Sequence, residues 1–393
     1  MGQRRESDPG RVPAGGLDAK PRPSVAFVVN GDERSAMADR ARAFAQRLEP
    51  HWRVETAFRT SRRLGDVLAF RRWLSTIEPD VVYVFDMAVA GVLAAGWHRW
   101  RHGARVIIDT GDAITALARS SGMRGPLGVC VTALLERYAL ATADHMVVRG
   151  TFHQELVAQK GVQSTFIPDG VDLGQFSPRD GRAARERLGV GEALTIGIVG
   201  SCVWSPALQI AYGWDLVEVL ALLKDENVRG VLIGDGSGIA HLRERARALN
   251  VEQRLVFTGR RAMTELPDLL SACDICLSTQ TNDVPGNVRT TGKLPIYLAC
   301  GRYVLASRVG EARYVLPDEM LVPYEGVVDR AYPARLAERI RLLAKDRGRL
   351  ELGATGVAIA RRQFDYNVLA SRVAMTLSAQ CDKAVAHAPQ RPA

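Results

Sequence analysis

Short, continuous apolar runs alternate along this chain with longer stretches whose apolar positions recur at the helical period. The first run, Val25 to Asn30, reads as a buried strand and ends in an Asn30-Gly31-Asp32 turn. Helical patterns occupy about Arg34 to Leu48, Leu64 to Ile77 and Ala88 to Trp100. Strands are expected at Trp52 to Phe58, Val81 to Phe85 and Arg105 to Asp109. A long helical region with a Gly/Pro break near Gly125-Pro126 leads to a strand at His145 to Val148. Helix Phe152 to Gln159 and strand Thr165 to Ile167 follow. Strands buried on both faces read as unbroken apolar runs, and the helices between them serve as crossovers. The pattern therefore predicts an α/β fold with a parallel sheet.

The same alternation restarts after a charged, Gly-containing stretch, Ser177 to Glu192, which reads as an interdomain linker. Strands are expected at Leu194 to Val199, Val231 to Ile233, Leu255 to Phe257, Ile275 to Leu277 and Tyr303 to Ala306. Helices are expected at Ala207 to Leu223, Ile239 to Leu249, Thr264 to Ala272 and Lys293 to Ala299, with a long helical tract from Pro333 to Gln363 and a last helix from Val368 to Ala379. Two domains follow, residues 24–176 and 193–364. Residues 1–23, rich in Gly, Pro and Arg, read as a disordered tail, and residues 381–393 as a loose one.

Composition narrows the class. A chain of 393 residues has room for two cores. No apolar run reaches the ~18 residues of a membrane helix, and the N-terminal residues lack the apolar region of a signal peptide. Six cysteines at this length do not form a disulfide framework, which points to the reducing cytoplasm. Cys273-Asp-Ile-Cys276 lies in an apolar strand without a partner pair and reads as buried thiols.

A net charge of +9 suits an anionic substrate, an anionic membrane surface or nucleic acid. No nucleic-acid recognition motif accompanies it, so nucleic acid is not expected as a partner. Arg62, Arg63, Arg71, Arg72 and Trp73, then Trp97, His98, Arg99, Trp100 and Arg101, make basic-aromatic clusters on two helices. They read either as solvated faces with snorkelling arginines or as a peripheral contact with the inner face of a membrane.

In sheets of this kind ligands bind beyond the carboxyl ends of the strands, so the polar groups there are informative. The stretch from Asn282 to Glu311 combines a polar loop, the start of a helix at Lys293 and a strand, an arrangement suited to an anion. Arg289 and Lys293 add two cations at the same place. Gly234-Asp235-Gly236 and Gly259-Arg260 are turns after strands, where the glycines either serve a tight turn or line a ligand pocket with backbone. Glu311 follows a buried strand and can accept hydroxyls or serve as a charge at a helix start. Asp109, Thr110, Gly111 and Asp112 end a first-half strand, where a carboxylate faces the interdomain cleft or caps the next helix. His153 is a second cleft candidate, though a lone histidine is more often structural.

These motifs, in this order, make the chain similar to the retaining family 4 (group 1 type) glycosyltransferases of the GT-B fold. The carriers are Ile167-Pro-Asp-Gly-Val-Asp172, the Gly234-Asp235-Gly236 turn, Phe257-Thr-Gly-Arg260, and Lys293-Leu-Pro-Ile-Tyr-Leu-Ala-Cys-Gly301. The resemblance spans roughly residues 24 to 380.

It implies two Rossmann-like domains facing each other across a cleft, with residues 365–380 crossing back to the first. It also implies a nucleotide-sugar donor in the second domain, an acceptor in the first, and transfer to an acceptor hydroxyl with retention and without a metal. No DxD motif follows a strand. The acceptor would be a glycan, a lipid-linked molecule or a small molecule, and no cofactor beyond the nucleotide-sugar co-substrate is implied. Gly200, Ser201, Gly234, Asp235, Gly236 and Arg260 fall at the family's nucleotide positions. Gly286, Asn287, Val288 and Thr290 line the donor loop, where backbone N–H groups from Pro285 to Val288 are expected to hold sugar hydroxyls.

Asp112, Arg289, Lys293 and Glu311 are the expected catalytic set. The chain departs from the family twice. Its Glu-x7-Glu pair is replaced by Val288 and Ile296, and the Arg and Lys after the first strand of the second half are absent beyond Ser201. Arg289 and Lys293 are expected to supply that charge instead. The alternatives are a non-catalytic relative that binds a partner or glycan, and a nucleotide-sugar epimerase. A Rossmann dehydrogenase is not expected, since no G-x-G-x-x-G follows the first strand.

Overall fold

The computed structural model describes residues 22–60, 65–122 and 124–386. Residues 1–21, most of the expected N-terminal tail, lie outside the described residues, as do Arg62 and Arg63.

The apolar runs of the first half form six strands: β1 (Ser24–Val29), β2 (Arg53–Phe58), β3 (Val81–Phe85), β4 (Arg105–Thr110), β5 (His145–Val148) and β6 (Ser164–Phe166). They pair in parallel in the order β2-β1-β3-β4-β5-β6. The helices lie where local chemistry puts their ends. Ser35 caps the helix Ala36–Leu48 by accepting from the Ala38 amide, Gly103 ends Val89–His102 at φ 73°, and Pro126 opens Pro126–Thr142.

In the second half β7 (Leu194–Val199) is followed by a hairpin, β8 (Trp204–Ser205) and β9 (Ile210–Ala211). Then come β10 (Val228–Ile233), β11 (Leu255–Gly259), β12 (Ile275–Ser278), β13 (Tyr303–Ser307) and β14 (Leu321–Val322). The second sheet runs β11-β10-β7-β12-β13-β14, all parallel. The chain is thus two parallel α/β layers, as expected.

Three expectations change. The helix expected from Ala207 begins only at Trp214, because Gln209 turns back at φ 57° and Gly213 sits at φ 100°; the apolar residues before it form the hairpin. The linker stretch carries a helix, Arg182–Leu188, and belongs to the second domain: Arg185 donates to the carbonyls of Ala193 (2.6 Å) and Ala272 (3.0 Å). The last helix runs Tyr366–Ala386, past the expected start of a loose tail at residue 381. Its buried Leu369, Val373 and Leu377 recur at one helical face and share a core with Phe44, Phe27 and Tyr83 of the first domain. Residues 387–393 lie outside the described residues.

The crossing point is held by backbone. Val171 N–H donates to Phe364 O (2.8 Å) and Tyr366 N–H to Val171 O (3.2 Å), and the helix then packs on Ala36–Leu48. Among the described residues, no helix is long and apolar enough to cross a membrane.

Candidate functional site

The C-terminal ends of the two sheets approach each other, and the site lies between them. On the second domain the helix Lys293–Ala299 is moored to the central strand, since the Val199 N–H donates to the Tyr297 hydroxyl at 2.7 Å. One turn earlier Lys293 therefore reaches the end of β7. A Cβ placed on Gly200 would lie 3.7 Å from the Lys293 ammonium and 2.8 Å from the Tyr212 ring. The ammonium sits 3.8 Å from the centroid of that ring. Among the described residues no carboxylate pairs with it. Burial, with the neighbouring charge of Arg289, lowers Lys293 from 10.5 to about 8. Part-desolvated and lacking a counter-ion, it is suited to an anion.

The loop before it is not a set of free donors. Asp283 caps a short helical turn, Val284–Asn287. Its carboxylate accepts the Gly286 amide (3.0 Å), its carbonyl accepts the Asn287 amide (3.0 Å), and Val284 O accepts the Val288 amide (3.1 Å). Pro285 has none to give. The N–H groups expected to hold sugar hydroxyls from Pro285 to Val288 are thus spent inside the turn. Asn287 is tied to the Asn282 side chain (3.0 Å) and donates to Asp283 O, so Gly286, Asn287 and Val288 shape the wall.

Four contacts clasp the domains. The Thr290 amide donates to Arg149 O at 3.0 Å, and its hydroxyl donates to the same oxygen. Gly150 presses against Val288, whose carbonyl oxygen would be 2.5 Å from an added Cβ. Glu311 accepts the Thr151 amide at 2.8 Å and its hydroxyl at 3.0 Å. That places a carboxylate at the start of the helix Thr151–Ala158 in the other domain. Glu311 is 3% exposed, and burial raises its carboxyl above 4.5. In this conformation both of its oxygens serve the clasp. Arg289 donates Nε to Asp112 Oδ1 at 2.5 Å, so here it neutralises Asp112.

The first domain supplies a buried charge network beneath the cleft. Asp109 at the end of β4 accepts from Arg40 Nε (2.8 Å), Tyr83 Oη (2.9 Å) and Arg149 Nε (3.0 Å). Burial alone would push its carboxyl up, but Arg40 and Arg149 hold it below 3.8. Asp109 is therefore a support for Arg149 and the cleft wall, and Asp112 is the carboxylate that reaches the cleft.

Above them opens a cavity of about 460 Å³ lined by Asp86, Asp112, Arg59, Arg124 and apolar side chains including Met87, Val89, Ile114, Leu117 and Leu135. Asp86 holds a left-handed backbone (φ 73°), pinned by its N–H to Asp109 O (2.7 Å) and by Asn30 Nδ2 on its carbonyl (2.7 Å). Burial and the nearby Asp112 raise the Asp86 carboxyl. His153 is 3% exposed, its Nδ1 has no hydrogen-bond partner among the described residues, and burial lowers it to about 4.

The remaining expected residues ring the second domain. Gly234 and Gly236 sit at φ 155° and 152°, and a Cβ on Gly234 would meet Gly200 O at 1.9 Å. Cys202 N–H donates to Asp235 O (2.9 Å), which laces the two loops together. Ser201, Asp235 and Arg260 are exposed. Ile296 and Val288 are 4% and 0% exposed. Cys273 and Cys276 are free and buried in the second core.

Sequence reasoning missed Arg40, Tyr83, Thr151 and Tyr212. Only Arg40 gave a signal, a lone arginine on the apolar face with Ala38, Ala41 and Phe44.

Residues 194–346 match the family described as Glycosyl transferases group 1. The D-inositol 3-phosphate glycosyltransferase of Stackebrandtia nassauensis is 29% identical over 56% of this chain and 51% of its own length. That of Geodermatophilus obscurus is 29% identical over 66% and 59%. The chain thus spans about half the length of the curated relatives it matches. HepE of Anabaena, solved with UDP-glucose, superposes with a TM-score of 0.73 at 19% identity over 91% of this chain and 99% of that one. Sucrose-phosphate synthase of Thermosynechococcus elongatus gives 0.71 at 17%, with the same coverage. At such identities the likeness is one of fold, and the fold is GT-B.

Proposed function

We propose that this protein, whose residues 194–346 form a glycosyl transferases group 1 domain in a GT-B frame, moves a sugar from a nucleotide-sugar donor to an acceptor hydroxyl. The observation that carries the reading is Lys293: an ammonium without a carboxylate partner among the described residues, beside Gly200 at the end of the central strand. A donor diphosphate supplies the missing counter-charge. Its negative charge grows as the sugar–phosphate bond breaks, so a fixed cation there favours the transition state over the ground state. Arg289 is the second cation, and it exchanges Asp112 for phosphate when the donor enters.

The acceptor occupies the first-domain cavity. Asp112, released from Arg289, orients the acceptor hydroxyl, and Asp86 lines the same space. The proton of that hydroxyl passes to the departing phosphate, which leaves no strong base to be found and fits transfer with retention and without a metal. Ser201, Gly234, Asp235, Gly236 and Arg260 border the nucleotide end.

The test is calorimetry with a panel of nucleoside diphosphates and their sugars, with and without chelator, beginning with UDP because HepE was solved with UDP-glucose. Tight binding of one nucleotide, then release of that nucleotide when an acceptor is supplied, supports transfer. The anomeric configuration of the product, read by NMR, decides retention.

A second reading, a binding protein without turnover, is favoured by the apolar, buried Val288 and Ile296 where the family carries carboxylates. Nucleotide binding without release of product across an acceptor library would select it.

A further inference from the structure

The helix Pro126–Thr142 carries an apolar stripe that the described residues leave uncovered. Leu127, Val131, Leu134 and Tyr138 are 78%, 56%, 61% and 40% exposed. Their spacing places them on one helix face, opposite the buried Thr132, Glu136, Ala139 and Thr142. Trp100, 81% exposed at the end of the neighbouring helix, lines one groove with Tyr138 and Ala141. Single exposed apolar residues need no explanation; a stripe continued by a tryptophan marks an interaction surface.

Charge selects the partner. From Ala113 to Thr142 the sequence has one carboxylate, Glu136. It is buried and consumed by Lys160 (2.9 Å) and the Thr115 amide (2.9 Å). Arg119, Arg124 and Arg137 of the same segment are exposed, as is Arg101 beside Trp100, while Arg99 is paired with Asp144 of the groove (3.0 Å). A second copy of the chain would set these cations against each other. Anionic headgroups attract them, while the acyl boundary takes the leucines and the indole.

We propose that the exposed face of the helix Pro126–Thr142, together with Trp100, docks on an anionic phospholipid bilayer. The first-domain cavity lies behind this helix, which contributes Thr132 and Leu135 to it, so docking brings an amphiphilic acceptor to the helix that walls the cavity. That last step rests on the transfer reading; the docking itself does not.

The experiment is flotation of the full chain with vesicles of phosphatidylcholine alone or with phosphatidylglycerol, for the wild type and for Leu127→Asp/Val131→Asp/Leu134→Asp. The wild type floats with anionic vesicles and loses them as salt rises. The triple variant, with unchanged circular dichroism and melting temperature, binds at least ~10-fold more weakly. If that variant misfolds, Trp100→Ala on the other helix carries the test, with a several-fold loss. Wild type that stays in solution with anionic vesicles, or a folded triple variant that floats as well, overturns the proposal. So does a wild-type dimer that the triple variant turns into a monomer with no vesicle binding by either. Loss of nucleotide binding in both proteins, with flotation intact, would sink the transfer reading alone.

Discussion

The Lys293 ammonium lies 3.8 Å from the centre of the Tyr212 ring and pairs with no carboxylate among the described residues. No Arg or Lys directly follows β7, yet a cation still arrives at Gly200, from the helix Lys293–Ala299 beside it. Tyr297 makes this so by fixing that helix to Val199.

The first prediction concerns pH. Burial lowers Lys293 to about 8, so it is charged below that value and neutral above it. Affinity for a nucleoside diphosphate is level up to about pH 8 and then falls, approaching tenfold per pH unit. Stability of the ligand-free protein moves the other way. Between about 8 and 10.5 the unfolded chain holds a proton that the folded one lacks, so stability rises with pH. Lys293→Ala removes both trends and weakens nucleotide binding by ~10–100-fold, the worth of a charge-assisted contact. Titration calorimetry across pH checks it.

Asp112 and Arg289 form a half-exposed pair, and such pairs contribute ~1 kcal/mol or less. Asp112→Asn therefore leaves the melting temperature almost unchanged. It leaves nucleotide affinity level or slightly improved, because Arg289 no longer has to be released. Transfer slows by ~100-fold or more with the loss of the group that orients the acceptor. A matching loss of nucleotide affinity would refute that division of labour.

Glu311 ties the domains through Thr151. Glu311→Ala leaves the Thr151 amide unpaired at a half-buried helix start and costs ~1–3 kcal/mol of clasp. Glu311→Gln, which keeps an oxygen for the amide, costs less. Hydrogen exchange at Thr151 reads the difference directly: faster in both variants, most in the alanine. Equal exchange in all three proteins would show that the clasp is not maintained in solution.

Asp109 is buried between two arginines. Asp109→Asn removes the buried carboxylate that both arginines share and leaves them only the more distant Asp169 (3.7 and 3.5 Å), destabilising the first domain by ~3 kcal/mol in urea unfolding, a far larger cost than Asp112→Asn three residues on.

Much of the fold was legible. Strands β3, β5 and β7 fall where unbroken apolar runs put them, since a strand covered on both faces has no polar alternation to blur its ends. The segment from Ala207 was misread because its apolar spacing fits a helix; the left-handed turns at Gln209 and Gly213 are backbone events that spacing does not encode. The last helix outran its expected end because Cys381, where a loose tail was expected, still packs on the first-domain core, a contact between residues more than three hundred apart.

The site divides along the same line. Sequence alone determined two parallel α/β domains, the strand ends where ligands gather, and the cations Arg289 and Lys293 in the decisive loop. It determined these because periodicity and residue type are local properties. Only the tertiary structure decided what each polar group touches. It gave Glu311 to Thr151, Arg289 to Asp112, and the Gly286–Val288 amides to their own turn, while leaving Lys293 without a counter-ion among the described residues. Charge and hydrogen-bonding capacity belong to a residue, but whether they are spent depends on neighbours that folding brings from elsewhere in the chain.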